Sequence, residues 1–325
     1  MKIFSKALLL ALFAALMMVS CSDDDDTTGE EMTKGNKNIN NFLNETTNLS
    51  NTQEALQIAQ RIEMPALKGG KNWFLVYKSN DIGVNICIEW DTEKRAQRWT
   101  AYQMTATTNT RRWNRNNWVN QIFNNKWANL CYEQTGHSYA DPYQPDPSLP
   151  NQYRTELDDY RGSGYNRGHI CPSADRLSSM TANEQTFYLS NMQPQLYEFN
   201  VGTWEDMENK VRQWSPSAGS TDTMYVCKGG TIDNGLAGYA RNLLVPKYFF
   251  MAILINNHKN GNGGYKAMAF WIEHKGTDQG SNLSKFAMSI DELEAKTGID
   301  FFCNLPDDIE SQVESNYVPS VWGLK

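Results

Sequence analysis

The sequence predicts an α+β protein built on a mixed, mainly antiparallel central sheet with helices packed against it. Several segments alternate apolar and polar residues as half-buried strands do. Residues 200–214 instead repeat their apolar residues at helical spacing. Strands and helices do not alternate regularly, which argues against a parallel sheet of strand–helix–strand units. The chain has 325 residues, and one domain over about 65–325 is the simplest organisation.

The first half of this domain carries the clearest strand signals. A short amphipathic helix is predicted over 53–62, before Pro65 interrupts the chain. Strands are predicted in the alternating segments that follow, at 73–77, 84–90 and 99–104. Residues 107–160 are polar and contain several breakers, which predicts a long connection. A connection of this length is more often functional than incidental.

The second half combines strands with two helices. The first helix, predicted over 200–214, has large apolar residues on one face, at Trp204, Met207, Val211 and Trp214. The second begins at a capping box, Ser289-Ile-Asp-Glu292, and ends at Thr297-Gly298. The remaining apolar segments are predicted strands, at 185–192, 224–227, 248–255 and 267–272.

The N-terminus has the features of a bacterial lipoprotein signal peptide over residues 1–20. Lys2 and Lys6 precede an apolar run that is short for a membrane span. Met18-Val19-Ser20-Cys21 then resembles a lipobox, so Cys21 is expected to carry the lipid anchor. Residues 21–64 are interpreted as a lipidated acidic tether followed by the short helix.

Two residue patterns after the lipobox concern localisation. Ser22, rather than an aspartate, follows Cys21, which favours the outer membrane over retention in the inner membrane. Asp23 to Asp26 resembles the acidic tag with which some Gram-negative bacteria send lipoproteins to the cell surface. The same run is also typical of a solvated tether. The expectation is an outer-membrane lipoprotein exposed on the cell surface.

The charge distribution excludes a globally basic nucleic-acid-binding protein. Residues 1–31 carry −4 of the formal charge of −7, which leaves about −3 for the rest. A basic segment at 91–126 nevertheless interleaves cations with tryptophans. Its members are Lys94, Arg95, Arg98, Arg111, Arg112, Arg115 and Lys126, with Trp99, Trp113 and Trp118. This pattern fits phosphate contact with base stacking, and it also fits a solvated surface beside core tryptophans.

The cysteines indicate neither a metal site nor a disulfide framework. Five remain if Cys21 is lipidated, at Cys87, Cys131, Cys171, Cys227 and Cys303. They show no CxxC spacing and no neighbouring histidine cluster, which argues against zinc. We predict no specific disulfide, and we expect the thiols in apolar strand segments to be buried.

The most informative stretch is residues 162–176, GSGYNRGHICPSADR. It places His169, one of four histidines in the chain, among glycines, an arginine and an amide. An imidazole with a pKa near neutrality is a candidate general base, although a structural histidine in a tight turn explains these residues equally well. The predicted helix supplies what the stretch lacks, an amide at Asn200 and a carboxylate two turns later at Glu208.

In this order the motifs resemble the DNA/RNA non-specific endonucleases, the endonuclease G-like nucleases of the ββα-metal superfamily. The family signature Asp-Arg-Gly-His corresponds to Asn166-Arg167-Gly168-His169. Other matching blocks lie at 190–195, 200, 204–208, 245–247 and 294–302. The resemblance spans roughly 65–325 and implies a ββα-metal active-site motif within the α+β fold.

The resemblance also implies a role for each site residue. His169 matches the general base, and Asn200 matches the direct protein ligand of a hydrated divalent cation, Mg²⁺ with Mn²⁺ as the alternative. Glu208 matches the acid that holds the waters of the metal. The other matching residues are Arg167 in the signature, Arg212 and Arg115 as phosphate-binding arginines with Arg112 as the alternative to Arg115, and Asn191 and Gln195 as residues that orient the site. On residue types alone, Asn200 also fits a helix N-cap, and Glu208 with Arg212 fits a surface ion pair.

Asn166 departs from the family signature, in which aspartate is usual. Its amide oxygen still accepts a hydrogen bond, but the negative charge beside His169 and the metal is lost. The resemblance implies Mg²⁺-dependent hydrolysis of DNA and RNA to 5′-phosphate ends, and the intact His169, Asn200 and Glu208 favour an active enzyme.

Two alternatives to an active nuclease remain open. One is a weakened or inactive nucleic-acid-binding surface lipoprotein on the same scaffold, and the other is a structural or adhesive lipoprotein. The expected partners are DNA and RNA substrates and a membrane reached through the lipid on Cys21. Whether the chain forms a homodimer is left open.

Overall fold

Strands of alternating apolar residues form a large central sheet in the computed structural model. The structure describes residues 40, 43, 46–120, 142–257 and 264–324, with the backbone alone at 119–120. All of these residues belong to one compact unit, 38–325. The signal peptide over 1–20, the lipidation of Cys21 and the acidic tag lie outside the described residues.

The described residues form twelve strands and seven helices. The strands are β1 (Thr46–Thr47), β2 (Asn72–Ser79), β3 (Gly83–Asp91), β4 (Ala96–Met104), β5 (Asn166–His169), β6 (Met192–Gln195), β7 (Thr223–Gly230), β8 (Leu236–Ala240), β9 (Leu243–Pro246), β10 (Tyr248–Asn256), β11 (Tyr265–Glu273) and β12 (Ala287–Met288). The helices are α1 (Thr52–Ala59), α2 (Leu157–Tyr160), α3 (Met180–Gln185), α4 (Tyr197–Asn200), α5 (Thr203–Trp214), α6 (Ile290–Thr297) and α7 (Asp307–Ser315). Short 3₁₀ turns include Arg115–Asn120 and Leu189–Asn191.

The central sheet confirms the predicted fold class. In the described part of the chain it has eight strands in the order β1-β2-β3-β4-β7-β10-β11-β12. β1 pairs with β2 in parallel, and the other neighbouring strands pair antiparallel. β5 and β6 form a separate antiparallel pair, as do β8 and β9.

Side-chain alternation divides the apolar core between the two faces of the sheet. On one face, Met224 and Val226 of β7 pack in a cluster with Trp204, Met207 and Val211 of α5. On the other face, strand residues pack with α1, α6, α7 and the segment 299–305. Because both faces are covered, most residues of the central strands are buried.

Two predicted helix starts are confirmed by their caps. The side chain of Asn51 accepts hydrogen bonds from the backbone at the start of α1. The predicted capping box at Ser289 and Glu292 begins α6, which ends at Gly298 in the left-handed conformation. The folded unit starts earlier than the predicted residue 65, because β1 pairs with β2 and α1 buries Ala55, Ile58 and Ala59.

Two element predictions in the middle of the chain are wrong. The strand expected at 185–192 is instead the end of α3 and a 3₁₀ turn, and the strand lies further on, at β6. The helix expected over 200–214 is interrupted at Gly202, so Asn200 ends α4 and α5 begins at Thr203. A Cβ at position 202 would lie 2.5 Å from the Glu198 carbonyl oxygen, which explains why the chain uses glycine at this close approach.

The basic segment 91–126 separates into two parts. Lys94 and Arg98 pair with Asp233, and Arg95 pairs with Asp159, so these cations are engaged in ion pairs within the fold. Trp99 and Trp118 are buried core residues. The remaining described members, Arg111, Arg112, Trp113 and Arg115, line an open cleft. Lys126 lies outside the described residues.

The burial of Cys87 and Cys227 confirms the expectation for thiols in apolar strand segments. Cys87, Cys171, Cys227 and Cys303 are all buried free thiols, while Cys21 and Cys131 lie outside the described residues. Within the described ranges, no helix combines the length and apolar character that a membrane crossing requires.

The buried pair of Arg98 and Glu89 yields a stability prediction. The Nη1 atom of Arg98 lies 2.6 Å from Oε2 of Glu89, and both side chains are almost completely buried. Replacing Arg98 with alanine leaves a buried carboxylate without its cation, so we expect a loss of about 3–5 kcal/mol in the free energy of unfolding. Urea unfolding followed by tryptophan fluorescence measures this loss.

The exposed pair of Lys71 and Glu93 provides the matched control, and Lys71→Ala is expected to change stability little. The double variant Arg98→Met with Glu89→Leu removes both buried charges and is expected to recover most of the lost stability. An Arg98→Ala variant as stable as Lys71→Ala would contradict the prediction.

Candidate active site

One cleft of about 1180 Å³ brings most of the predicted site residues together. The predicted residues that line it are Arg112, Arg115, Asn166, Arg167, His169, Asn200, Glu208 and Arg212. In the described part of the chain its lining includes six arginines and two glutamates, so it is locally basic although the whole chain is acidic. Asn191 and Gln195 do not line the cleft; both are completely buried in the protein.

His169 stands at the end of β5, where the buried amide of Asn191 fixes the chain. The side-chain oxygen of Asn191 accepts a hydrogen bond from the Cys171 amide at 2.9 Å. Its nitrogen donates to the carbonyls of Cys171 at 2.9 Å and Thr186 at 2.7 Å. The Ile170 amide also donates to the Asn191 carbonyl at 3.0 Å. These bonds tie the residues that follow His169 to the turn before β6, which restricts where the imidazole can lie.

The surroundings of His169 favour its neutral form. Its ring lies 5.0 Å from Phe187 and 5.7 Å from Tyr143, centroid to centroid. Burial, together with the positive charges of Arg115 and Arg167, holds the pKa of His169 well below its usual value. Nε2 is buried and has no hydrogen-bond partner among the described residues. A neutral imidazole with an unengaged nitrogen can accept a proton.

Gln195 lies directly behind the signature strand. β5 and β6 pair so that Asn166 faces Gln195 and Gly168 faces Gln193. A Cβ on Gly168 would lie 2.2 Å from Cδ of Gln195, so the glycine allows this buried side chain to pack against the strand. Gln195 therefore helps to fix the position of β5, which carries His169.

Helix α5 joins the sheet to the signature strand and carries Glu208 and Arg212. Nε1 of Trp204 donates a hydrogen bond to the His169 carbonyl at 3.3 Å. Arg212 donates to Asp175 Oδ1 at 2.8 Å, and the hydroxyl of Tyr102 donates to the other oxygen of Asp175 at 2.9 Å. The ion pair considered between Glu208 and Arg212 does not form, because each side chain has a different partner.

Glu208 pairs with Lys228, a residue that the sequence did not predict to belong to the site. Nζ of Lys228 lies 3.7 Å from Oε1 of Glu208, and the lysine is completely buried between the rings of Tyr102 and Trp204. Burial raises the pKa of Glu208 to about 7, and the charge of Lys228 opposes that rise. The alternation of side chains along β7 could have indicated that Lys228 is buried, because Lys228 lies on the same face of the sheet as Met224 and Val226.

The arginines of the cleft differ in the rings they contact and in their influence on the histidine. Arg115 lies with its guanidinium carbon 4.9 Å from the centre of the Phe187 ring, which itself packs on His169. Arg167 covers the Tyr143 ring at 4.1 Å. Arg112 lines the same cleft but is exposed, whereas the charges of Arg115 and Arg167 add to the effect of burial in lowering the pKa of His169.

A match to a known protein family identifies the kind of protein that carries this cleft. The family model for DNA/RNA non-specific endonucleases matches residues 79–308, which is more than half of the chain and contains every cleft residue named above. The chain belongs to the DNA/RNA non-specific endonuclease family.

Individual members of the non-specific endonuclease family agree with this assignment. Nuclease 1, mitochondrial, of Schizosaccharomyces pombe is 30% identical over 196 residues, which cover 57% of this chain and 61% of that protein, less than two thirds of its length. A nuclease of Nostoc sp. is 31% identical over 206 residues, covering 61% of this chain and 71% of that one. A crystal structure of the EndoG/EndoGI complex matches with a TM-score of 0.52 at 21% identity, over 71% of this chain and 86% of that one. This last match shows a shared fold, in which β5, β6 and α5 form the ββα motif.

The non-specific endonuclease family is metal-dependent, and the donor set of this cleft fits a hard cation. Asn200 offers an amide oxygen at the end of α4, and Glu208 offers a carboxylate with Oε1 free of hydrogen bonds to the described residues. Oxygen donors with open space for water suit Mg²⁺, which keeps several of its waters. No thiol or second histidine lines the cleft in the described residues, so the donors do not favour zinc.

Replacing Lys228 with methionine tests its contact with Glu208. The buried carboxylate then loses its nearest cation, so its pKa rises and a smaller fraction of the molecules carries the ionised form at neutral pH. If nucleic-acid cleavage needs this charge, the rate at neutral pH falls and recovers as the pH is raised. A pH profile of plasmid cleavage measures this displacement.

The control for this variant is Lys210→Met, which removes a lysine of α5 that lies over the Trp214 ring instead. It should keep the original pH profile. An equal loss of rate by Lys228→Met at every pH would show that the lysine acts through packing and not through its charge.

Proposed function

We propose that the protein is a Mg²⁺-dependent, sugar-non-specific endonuclease that hydrolyses DNA and RNA to 5′-phosphate ends. The observation that carries this proposal is the basic cleft in which a neutral His169 shares one lining with Asn200, Glu208 and several arginines. Membership of the non-specific endonuclease family supports phosphodiester hydrolysis as the reaction.

His169 acts as the general base. It accepts a proton from the water whose oxygen attacks phosphorus, and the bond from phosphorus to the 3′ oxygen breaks as the new bond forms. The leaving 3′ oxygen takes its proton from solvent in the cleft, so the products are a 5′-phosphate and a 3′-hydroxyl. The depressed pKa of His169 keeps the imidazole ready to accept this proton at neutral pH.

Asn200 and Glu208 are the residues that would hold the metal. Asn200 would bind the cation through its amide oxygen, and Glu208 would accept hydrogen bonds from the waters of the cation. When bound, the cation supplies positive charge that stabilises the developing negative charge on the phosphate and leaving group. The charge of Lys228 favours the ionised form of Glu208 from inside the fold.

The arginines account for the lack of sugar and sequence preference. Arg115, Arg167 and Arg212 project from three separate segments into the lining of the cleft. Guanidinium groups bind phosphate oxygens, which DNA and RNA share, and such contacts carry no base information. The fixed pairing of Arg212 with Asp175 orients its guanidinium before substrate binds.

A second candidate function is nucleic-acid binding with little or no catalysis on the same scaffold. The observation that favours it is Asn166, which lines the cleft where the family signature has an acid. The same arginines that bind a substrate phosphate would bind nucleic acid without cleaving it.

We also propose that the protein is an outer-membrane lipoprotein, anchored through Cys21 and exposed on the cell surface. The support is the signal-peptide and lipobox pattern of residues 1–21 and the acidic run that follows. In that location the nuclease would degrade nucleic acids outside the cell for uptake.

Substitution of His169 tests the nuclease directly. The purified protein should degrade plasmid DNA and RNA in the presence of Mg²⁺ and stop when EDTA removes the metal. His169→Ala removes the general base, and we expect a loss of at least about 10²-fold in rate. Gel analysis of the products, with end labelling of their 5′-phosphates, measures both the rate and the position of the cut.

His274→Ala offers a matched control, because that histidine contacts the Pro246 carbonyl and the Leu196 amide and does not line the cleft. Its rate per folded molecule should exceed that of His169→Ala by a wide margin. Unchanged activity in His169→Ala would refute the proposed base.

Restoring the family residue with Asn166→Asp separates the two candidate functions. A carboxylate there adds negative charge beside the metal, so we expect a lower Mg²⁺ concentration for half-maximal rate. The rate against Mg²⁺ concentration, with DNA binding measured in parallel by fluorescence anisotropy, gives the result. If the original protein binds DNA without cleavage under every divalent metal, and Asn166→Asp cleaves, the binding function is the correct one.

A further inference from the structure

A second group of acidic residues lies on the opposite face of the sheet from the cleft. Asp291 and Glu294 are on α6, and Glu310 and Glu314 are on α7, with Asp300 in the segment between the helices. Both helices pack with the core cluster that does not include α5. The group is therefore separate from the residues proposed for nucleic-acid cleavage.

Three of these carboxylates converge on one point. Each of Asp291, Glu294 and Glu314 places a carboxylate oxygen within 4.8 Å of the others. Two ligands of one Ca²⁺, each about 2.3–2.6 Å from the ion, can lie up to about 4.6–5.2 Å apart. The three oxygens therefore lie close to the spacing that a single cation requires, and a small adjustment of their side chains would bring all three into contact with it.

Two buried carboxylate oxygens in this group have no partner. Glu314 is 5% exposed and Glu310 is 6% exposed. Oε1 of each is buried and makes no hydrogen bond to the described residues. Buried polar atoms are normally paired, so an unpartnered buried oxygen on Glu314, whose carboxylate converges with two others, indicates a ligand.

The surrounding residues do not neutralise these charges. Among the described residues, no lysine or arginine forms an ion pair with Asp291, Glu294 or Glu314. Lys296 of α6 lies over the Trp271 ring instead, and Glu294 also accepts a hydrogen bond from the Phe301 amide at 2.7 Å. Burial and the neighbouring carboxylates raise the pKa of Glu294 to about 7 and that of Glu314 to about 10.

We propose that Asp291, Glu294 and Glu314 bind one Ca²⁺ ion, with Glu310 adding negative charge beside it. The donors are all oxygens, which a hard divalent cation prefers. A site of three protein carboxylates favours Ca²⁺ over Mg²⁺, because Mg²⁺ retains its waters and is usually held by one or two carboxylates. The cation replaces mutual repulsion with a bridge between α6 and α7.

The consequence is a structural role at a distance from catalysis. α6 and α7 both pack with the sheet on the face that does not carry the cleft. Ca²⁺ that bridges them favours the folded state over the unfolded state, since the unfolded chain does not hold the three carboxylates together. The stability of the protein is therefore expected to depend on Ca²⁺ while the nuclease site depends on its own metal.

Calorimetry with the full-length protein tests the site. The protein is freed of metal with a chelator and carries Asn200→Ala, so that the cleft does not contribute to binding. Titration with Ca²⁺ alone should show one ion per chain with a Kd on the order of 10⁻⁴ M. Adding Glu314→Gln should weaken binding roughly tenfold or more, because a carboxylate ligand is lost.

Thermal unfolding gives a second readout that separates ligand loss from misfolding. Saturating Ca²⁺ should raise the Tm by about 2–4 °C. Glu314→Gln should not lower the Tm without Ca²⁺, because it removes a repelling charge, and it should abolish the rise. Asp308→Asn, an exposed acid on the same helix outside the group, should keep the full response.

Three results would overturn the proposal. They are no binding and no change of Tm at millimolar Ca²⁺, an unchanged affinity in Glu314→Gln, and tighter binding of Mg²⁺ than of Ca²⁺. The first would show that the carboxylates share protons and not a cation, the second would show that Ca²⁺ binds elsewhere on the chain, and the third would remove the assignment to calcium.

Discussion

The packing of α5 on the sheet is the constraint on which the geometry of the cleft depends. Trp204, Met207 and Val211 bury one side of the helix in the main core cluster. The same helix ties Trp204 to the carbonyl of His169 and directs Glu208 and Arg212 into the cleft. Because interiors are close-packed, a shift of the helix would move the acid, the arginine and the histidine together. The hydrophobic core thus determines the relative positions of the polar residues.

Burial also sets the protonation states in the cleft. It lowers the pKa of His169 and raises that of Glu208 to about 7, so a neutral imidazole and a carboxyl group that is only partly ionised coexist in the cleft near neutral pH. The folded-state pKa of Glu208 lies above its unfolded value of 4.5, so the stability that it contributes is present below that value and is lost as the pH rises through about 7. Lys228 opposes this loss, because its charge favours the ionised carboxylate.

The sequence predicted most of the strands, the amphipathic character of α5 and the motif around His169, because each depends on neighbouring residues. It placed Asn200 at the start of one long helix, since nothing in the apolar spacing reveals the backbone break at Gly202. It also treated the basic segment as one unit, whereas Arg98 pairs with Glu89 and Asp233 in the fold and Arg115 reaches the cleft. Such divisions depend on tertiary partners that are distant in sequence. Lys228 was missed for a different reason, since a lysine at the end of an apolar strand is usually exposed.

The charges around Asn166 connect these observations. The cleft lining holds six arginines and two glutamates in the described residues, a balance that attracts phosphate and opposes a free cation. In the family signature an aspartate would offset part of that positive charge, and Asn166 does not. Glu205 and Glu208 are the two acidic side chains of the described lining, and the ionisation of Glu208 depends on the buried cation of Lys228. The buried charge of Lys228 therefore favours the ionised form of the acid that we propose to hold the waters of a metal.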